Sequence, residues 1–125
     1  MKMIISNSSS IPIYEQIKNS IIEQIMSGEL LEDEALPSIR ALAHDIKISV
    51  MTIKKAYDEL ESEGYIVSRQ GKGTFVAVKS TELAMESVRG EIENYITKIV
   101  ELSKQYGIDK SEIIDVINIF YGSDD

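Results

Sequence analysis

The sequence predicts a mostly α-helical fold with one small β-hairpin, divided between a compact N-terminal part and a two-helix tail. Three observations carry this reading. Two short amphipathic segments meet at a tight turn within residues 36–64. Two runs rich in β-branched and aromatic residues, joined by glycines, follow at once in residues 65–76. Beyond residue 88, apolar side chains recur at alternating four-three spacing, as in a helix that packs on another helix.

The first helix is expected to begin with Pro12 at its first helical position and to run to Ser27, with Gly28 as its stop. Ile13, Ile17, Ile21 and Ile25, flanked by Tyr14 and Ile22, form an aliphatic face able to cover the helices that follow. Residues 1–10 are polar and serine-rich after Ile5 and read as a mobile arm.

Pro37 cannot continue a helix, and Ser38 is a good N-cap for the next one. There Ile39, Leu42, Ala43 and Ile46 recur at i, i+3, i+4 and i+7, the stripe of a helix packed on a core. Lys47 and Ile48 make the break, and Ser49 can cap a second short helix. Its buried stripe is Ile53, Ala56, Tyr57 and Leu60, so Met51, Lys54 and Lys55 point outward with Thr52 on one flank. Asp58, Glu59, Glu61 and Glu63 fill the C-terminal half. Phosphates would repel that half, so any nucleic acid must meet the N-terminal end, where the helix dipole also favours anions.

Gly64 ends this helix in a left-handed conformation. Tyr65-Ile66-Val67 and Thr74-Phe75-Val76 read as two strands, joined through Gln70-Gly71-Lys72-Gly73 with Arg69 and Lys72 as charge near the tip. A helix pair followed directly by such a hairpin has the order of a winged helix-turn-helix. That fold offers one helix to the major groove of double-stranded DNA and a hairpin to the backbone or minor groove.

In the tail, Val88, Ile92, Tyr95, Ile99, Leu102 and Tyr106 form the seam, widened by Ile96 and Val100. Gly107 stops this helix, and Asp109 with Glu112 has the spacing of a capping box for a last one. That helix is expected to bury Ile113, Ile114, Ile117, Phe120 and Tyr121 and to end at Gly122. Two helices of this length cannot enclose so much apolar surface, whereas a symmetric partner closing a four-helix arrangement can. The alternative folds both helices back on the N-terminal part of the same chain. The expected organisation is thus a DNA-binding domain at 1–79 and a helical dimerisation tail at 80–125, its first residues (80–87) a helical or mixed linker. The homodimer interface would comprise Val88, Ile92, Tyr95, Ile96, Ile99, Leu102, Ile113, Ile117, Phe120 and Tyr121.

Composition removes several other classes. The 125 residues include no cysteine, so no disulfide forms, as expected for a reducing cytoplasm. The N-terminal MKMIIS is too short for a signal-peptide core, and no apolar run approaches membrane-spanning length. A single histidine, His44, makes a transition-metal site unexpected, and the carboxylates lie on helix faces without a nucleophile or base. Neither a cofactor nor an enzyme is expected. The net charge of −8 opposes DNA binding, but its distribution softens the objection. Residues 1–80 hold 9 Lys+Arg against 11 Asp+Glu, a net of −2, while residues 81–125 hold 4 against 10, a net of −6. Binding depends on local clusters such as Arg40, Lys54, Lys55, Arg69 and Lys72 rather than on the total.

These motifs resemble the GntR family of bacterial transcription regulators. The resemblance rests on Leu36-Pro37-Ser38-Ile39-Arg40-Ala41-Leu42-Ala43, the run from Thr52 to Gly64, and the wing sequence RQGKGTFV from Arg69 to Val76. PIYEQI at Pro12 to Ile17 and Gly28-Glu29-Leu30 add to it, and this start together with the short tail is similar to the YtrA-type subfamily. The resemblance implies a repressor that acts as a homodimer on a palindromic operator, in relatives commonly beside transporter genes. It also implies DNA contacts at Arg40, Thr52 and Lys54, a phosphate contact at Ser38, and close approach of Gly71 to the minor groove. With the outward residues, the expected DNA-binding set is Ser38, Arg40, Ser49, Met51, Thr52, Lys54, Lys55, Arg69, Gln70, Gly71 and Lys72.

Three departures from the family pattern stand out. Val50 replaces an arginine that reads guanine, and valine offers only apolar contact, for example to a thymine methyl. Lys47 replaces the turn glycine, and Glu32-Asp33 replaces a Pro-Gly pair. Two rival readings stay open: a winged module that binds another protein and has no DNA affinity, and a regulator switched by a small ligand at the tail interface.

Overall fold

The structure is a computed structural model that describes residues 1–122; the last three residues of the expected tail lie outside it. Helix α1 spans Ile13–Ser27, α2 Ile39–Ile46 and α3 Val50–Ser62. Strands β1 (Ile66–Arg69) and β2 (Gly73–Val76) follow, then α4 (Ser80–Tyr106) and α5 (Lys110–Tyr121). The chain divides into two compact units, Met1–Ser87 and Val88–Asp125. The first is a winged helix-turn-helix of three helices and a hairpin, as the periodicity predicts.

Its core is formed by the residues that the helical stripes single out. Ile17, Ile21 and Ile25 of α1 pack with Leu42 and Ala43 of α2 and with Ile53, Ala56, Tyr57 and Leu60 of α3. Ile66 and Val76 close the core from the hairpin. Each large aliphatic side chain buried here contributes about 1.5–3 kcal/mol. Ser80 and Ala84, at the start of α4, are also fully buried. Residues 80–87 are therefore continuous helix whose first turns belong to the first unit, not a loose connection.

The helix ends follow the expected chemistry with exceptions. Ser38 Oγ accepts from Ala41 N–H, and Ser49 Oγ accepts from Thr52 N–H. Pro12 sits one position earlier than expected, at the N-cap of α1, and its carbonyl accepts from Gln16 N–H. Asp109 occupies the N-cap of α5, but its side chain makes no capping hydrogen bond, so the expected box is not closed. Lys47 ends α2 with φ 57° and ψ 45°, a left-handed conformation that favours glycine.

Two further differences matter. The N-terminal arm lies along α1 rather than free. Ser6 N–H donates to Gln16 Oε1 at 2.8 Å, Gln24 Nε2 donates to the Lys2 carbonyl at 2.9 Å, and Met3 and Ile5 pack against the core. The loop before α2 lies beside β2: Asp33 N–H donates to the Val76 carbonyl, Val76 N–H to the Glu34 carbonyl and Leu36 N–H to the Thr74 carbonyl, each at 2.8 Å. β1 and β2 pair antiparallel in the register Ile66 with Val76 and Arg69 with Gly73.

The Tyr57 hydroxyl donates to the Pro37 carbonyl at 2.8 Å, tying the middle of α3 to the start of α2. Burial pushes this phenol up from 10.0 to about 12. A raised phenol pKa means that the folded chain holds the proton more tightly. Its stabilising effect is complete below pH 10 and is lost as pH rises toward 12. Denaturant titrations should show the native chain losing about 2–3 kcal/mol more than Tyr57→Phe across that window, from about 1.4 kcal/mol per unit. Parallel losses in both proteins would mean that Tyr57 titrates freely.

Lys47→Gly should raise the unfolding free energy by up to about 1 kcal/mol, because glycine adopts this φ without the Cβ penalty. A clear loss of stability in the same melts would show that the lysine side chain stabilises the turn.

Candidate nucleic-acid interface

The N-terminal end of α3 presents Val50 and Met51 to solvent, Met51 being 73% exposed. The hydroxyls of Ser49 and Thr52 lie 2.8 Å apart beside them. A hydroxyl that accepts one bond retains a donor hydrogen or a second lone pair, so capping leaves both side chains able to meet a phosphate or base. Lys54 is exposed and pairs one turn on with Asp58 at 2.7 Å, an i,i+4 surface pair of small net value. Lys55 lies on the ring of Tyr14, 3.9 Å from its centroid, and so links α3 to α1.

Ser38 and Arg40 are exposed at the start of α2. Among the described residues Arg40 has no carboxylate partner. In the wing, Gln70, Gly71 and Lys72 are exposed, and Lys72 N–H donates to the Arg69 carbonyl at 2.9 Å to close the turn. Gly71 has φ +75°, and a Cβ built there would meet nothing within 4 Å, so glycine is required by backbone conformation rather than by space. Arg69 differs from its neighbours. Its guanidinium pairs with Asp33 and lies 4.4 Å from the centroid of the Phe75 ring.

Sequence reasoning treats the acidic half of α3 as a region to be kept from DNA. The structure gives each of those carboxylates a partner. Glu59 and Glu63 both pair with Lys18 of α1, the first at 3.3 Å. Burial lowers the Lys18 ammonium, but hydrogen bonds to Glu63 and Glu59 outweigh it and leave its pKa above the usual lysine value. Glu61 accepts from Ser68 N–H at 2.9 Å and so holds β1 to α3. The N-terminus of α2, through Tyr57, and the wing, through Glu61, are thus both anchored on the helix that carries Met51 and Lys54. The contacts of Asp33 with Arg69 and of Glu61 with Ser68 were missed from sequence. The signal for Asp33 was present, since it occupies a place where the family pattern has glycine.

The expected tail residues lie in the second unit. Ile92, Tyr95, Ile96, Ile99, Leu102, Ile117, Phe120 and Tyr121 are all exposed, Phe120 at 85%; Val88 and Ile113 are half-buried. Within one chain, therefore, α5 does not bury the apolar face expected of it.

The family model described as bacterial regulatory proteins, gntR family, matches residues 13–76. The chain belongs to the GntR family. This GntR protein is similar over nearly its whole length to the uncharacterized HTH-type transcriptional regulator YhcF of Bacillus subtilis (strain 168), with 36% identity over 90% of this chain and 92% of YhcF. It is 31% identical to the HTH-type transcriptional repressor YtrA of the same organism, over 84% of this chain and 81% of YtrA. Six other curated relatives are longer, and the chain spans 38% or less of each. Among solved structures, the DNA-binding domain of AraR in complex with operator ORX1 matches with a TM-score of 0.54 and 35% identity, over 62% of this chain and 96% of that one. The GntR chain is accordingly a DNA-binding transcriptional regulator, with the wing and helix pair as its family domain. No helix among the described residues is long and apolar enough to cross a membrane.

Proposed function

We propose that this chain is a cytoplasmic, sequence-specific repressor that binds a palindromic operator as a homodimer. The observation that carries the DNA-binding face is the polarity of α3. Its N-terminal end is exposed and neutral or basic, while its acidic end is tied into the protein. Ser38, Arg40, Ser49, Met51, Thr52 and Lys54, with Gln70, Gly71 and Lys72 of the wing, form the contact set. Lys55 and Arg69, placed in this set by sequence, serve chiefly to hold α1 and the wing. With Val50 and Met51 foremost on α3, major-groove readout relies on apolar contact, for which thymine methyl groups are the natural targets. The likeness to an AraR domain solved on its operator supports this placement, and the likeness to YtrA supports repression.

Arg40→Ala and Lys54→Ala should each weaken binding to a promoter fragment by about 1–3 kcal/mol in gel shifts at one fixed salt concentration. Circular dichroism should be unchanged, because both side chains are exposed. Native affinity in both variants would move the DNA surface elsewhere.

The dimer reading rests on the tail. Exposed Ile92, Tyr95, Ile99, Leu102, Ile117 and Phe120 are more apolar surface than a monomer ordinarily leaves open. Seam spacing on α4 suits a symmetric four-helix closure. Because Ser80 and Ala84 belong to the core of the first unit, the informative truncation ends at Ser87 rather than near residue 80. That fragment should stay folded, run as a monomer by light scattering and lose operator affinity by about 100-fold or more, since one molecule no longer spans two half-sites. A dimeric fragment with native affinity would place the dimer contact outside the tail.

A further inference from the structure

Asp33 stands next to the wing in a backbone conformation that few side chains adopt, with φ 69°. Its N–H is bonded to the Val76 carbonyl, so its position relative to β2 is set by backbone rather than by side-chain chance. Its carboxylate pairs with Arg69, the last residue of β1 before the wing turn. The other side of the Arg69 guanidinium lies over Phe75 of β2. Arg69 is thus held from two sides, by residues 36 positions earlier and six positions later. Lys72, two residues beyond the start of the turn, has no such partner among the described residues.

A carboxylate this close to a DNA-facing hairpin would repel phosphate if it were unpaired. Pairing with Arg69 neutralises it, and the same pairing occupies the arginine. Glycine at this place would supply the left-handed turn without adding either effect.

We infer that Asp33 is a positioning residue that clamps Arg69 to the stem of the wing. The wing tip then meets DNA with Lys72 as its phosphate-neutralising charge, and Arg69 releases no counterion of its own. This rests on the DNA-binding face proposed above and assigns the charges within it. It separates Arg69 from Lys72, which sequence alone treats as equivalent.

The test uses the full chain, a fluorescently labelled random-sequence duplex, and anisotropy titrations at several salt concentrations between roughly 50 and 200 mM. Non-specific duplex suffices because the quantity read is the slope of log K against log salt. Lys72→Gln should flatten that slope by about 0.9 per bound protomer, whereas the double variant Asp33→Asn/Arg69→Gln, which removes the pair without leaving an unpaired carboxylate, should keep the native slope. Asp33→Asn keeps a residue that tolerates left-handed φ while removing the charge. It should tighten binding at low salt and steepen the slope by about 0.9, and adding Arg69→Gln should cancel the gain. Asp33→Gly should behave as Asp33→Asn does, which separates the lost charge from any altered turn. The clamp is overturned if Asp33→Asn/Arg69→Gln flattens the native slope as much as Lys72→Gln does. It is equally overturned if both Asp33 variants, folded by thermal melt, keep the native slope. Failure of the native chain to bind duplex at all would overturn the DNA face itself, an outcome distinct from either.

Discussion

Burial of one face of α3 is the constraint on which the rest of the first unit depends. Ile53, Ala56 and Leu60 are fully buried, against α1 on one side and α2 on the other. Turning the helix far enough to bring Met51 inward would expose two of these aliphatic side chains, at about 1.5–3 kcal/mol each. That loss is comparable with much of the 5–15 kcal/mol by which a typical domain is stable. The azimuth of α3 is therefore set by its core side. The outward placement of Met51, Thr52 and Lys54 follows from that burial and needs no separate explanation.

Charge is arranged around the same helix. A chain of net charge −8 looks poorly suited to a polyanion. Yet the carboxylates on α3 are occupied: Glu59 and Glu63 on Lys18, Glu61 on the backbone of β1, Asp58 on Lys54. The contacts of Glu59, Glu63 and Glu61 fix α1 and the wing to α3 at the end away from its N-terminus, where negative charge does least harm to DNA binding. The polar contacts that position the interface are thus the same ones that remove acidic side chains from competition with phosphate. Family membership and this distribution agree, and the total charge is the less informative quantity.

Much of the fold was legible because each short helix carries a complete apolar stripe and a Ser cap. The stripes expected of α1, α2 and α3 supply the core, although Ile13, Ile39 and Ile46 at their ends are only partly buried, and both hairpin strands fall where β-branched and aromatic residues cluster. Less legible were contacts between segments distant in sequence. Nothing local to Gln16 or Gln24 indicates that their amides hold the N-terminal arm, so the arm read as free. Asp109 has the spacing of a capping box without the bond, because spacing constrains position but not rotamer. Ser80 and Ala84 belong to the first core although the seam pattern begins only at Val88; two small residues leave too faint a stripe to mark a boundary. On the candidate interface, periodicity identified which residues face outward. It could not distinguish an arginine clamped between Asp33 and Phe75 from a lysine at the tip without a carboxylate partner.

The central claim is that DNA meets the N-terminal end of α3. Met51 is a direct reporter, because its thioether is exposed there and oxidises slowly enough to be followed by mass spectrometry. Limited peroxide treatment of the chain, with and without a saturating duplex selected from a random pool, measures its accessibility. Met51 should become strongly protected by the duplex while Met1 oxidises at an unchanged rate. Equal oxidation of Met51 in the free and bound chain would contradict the account.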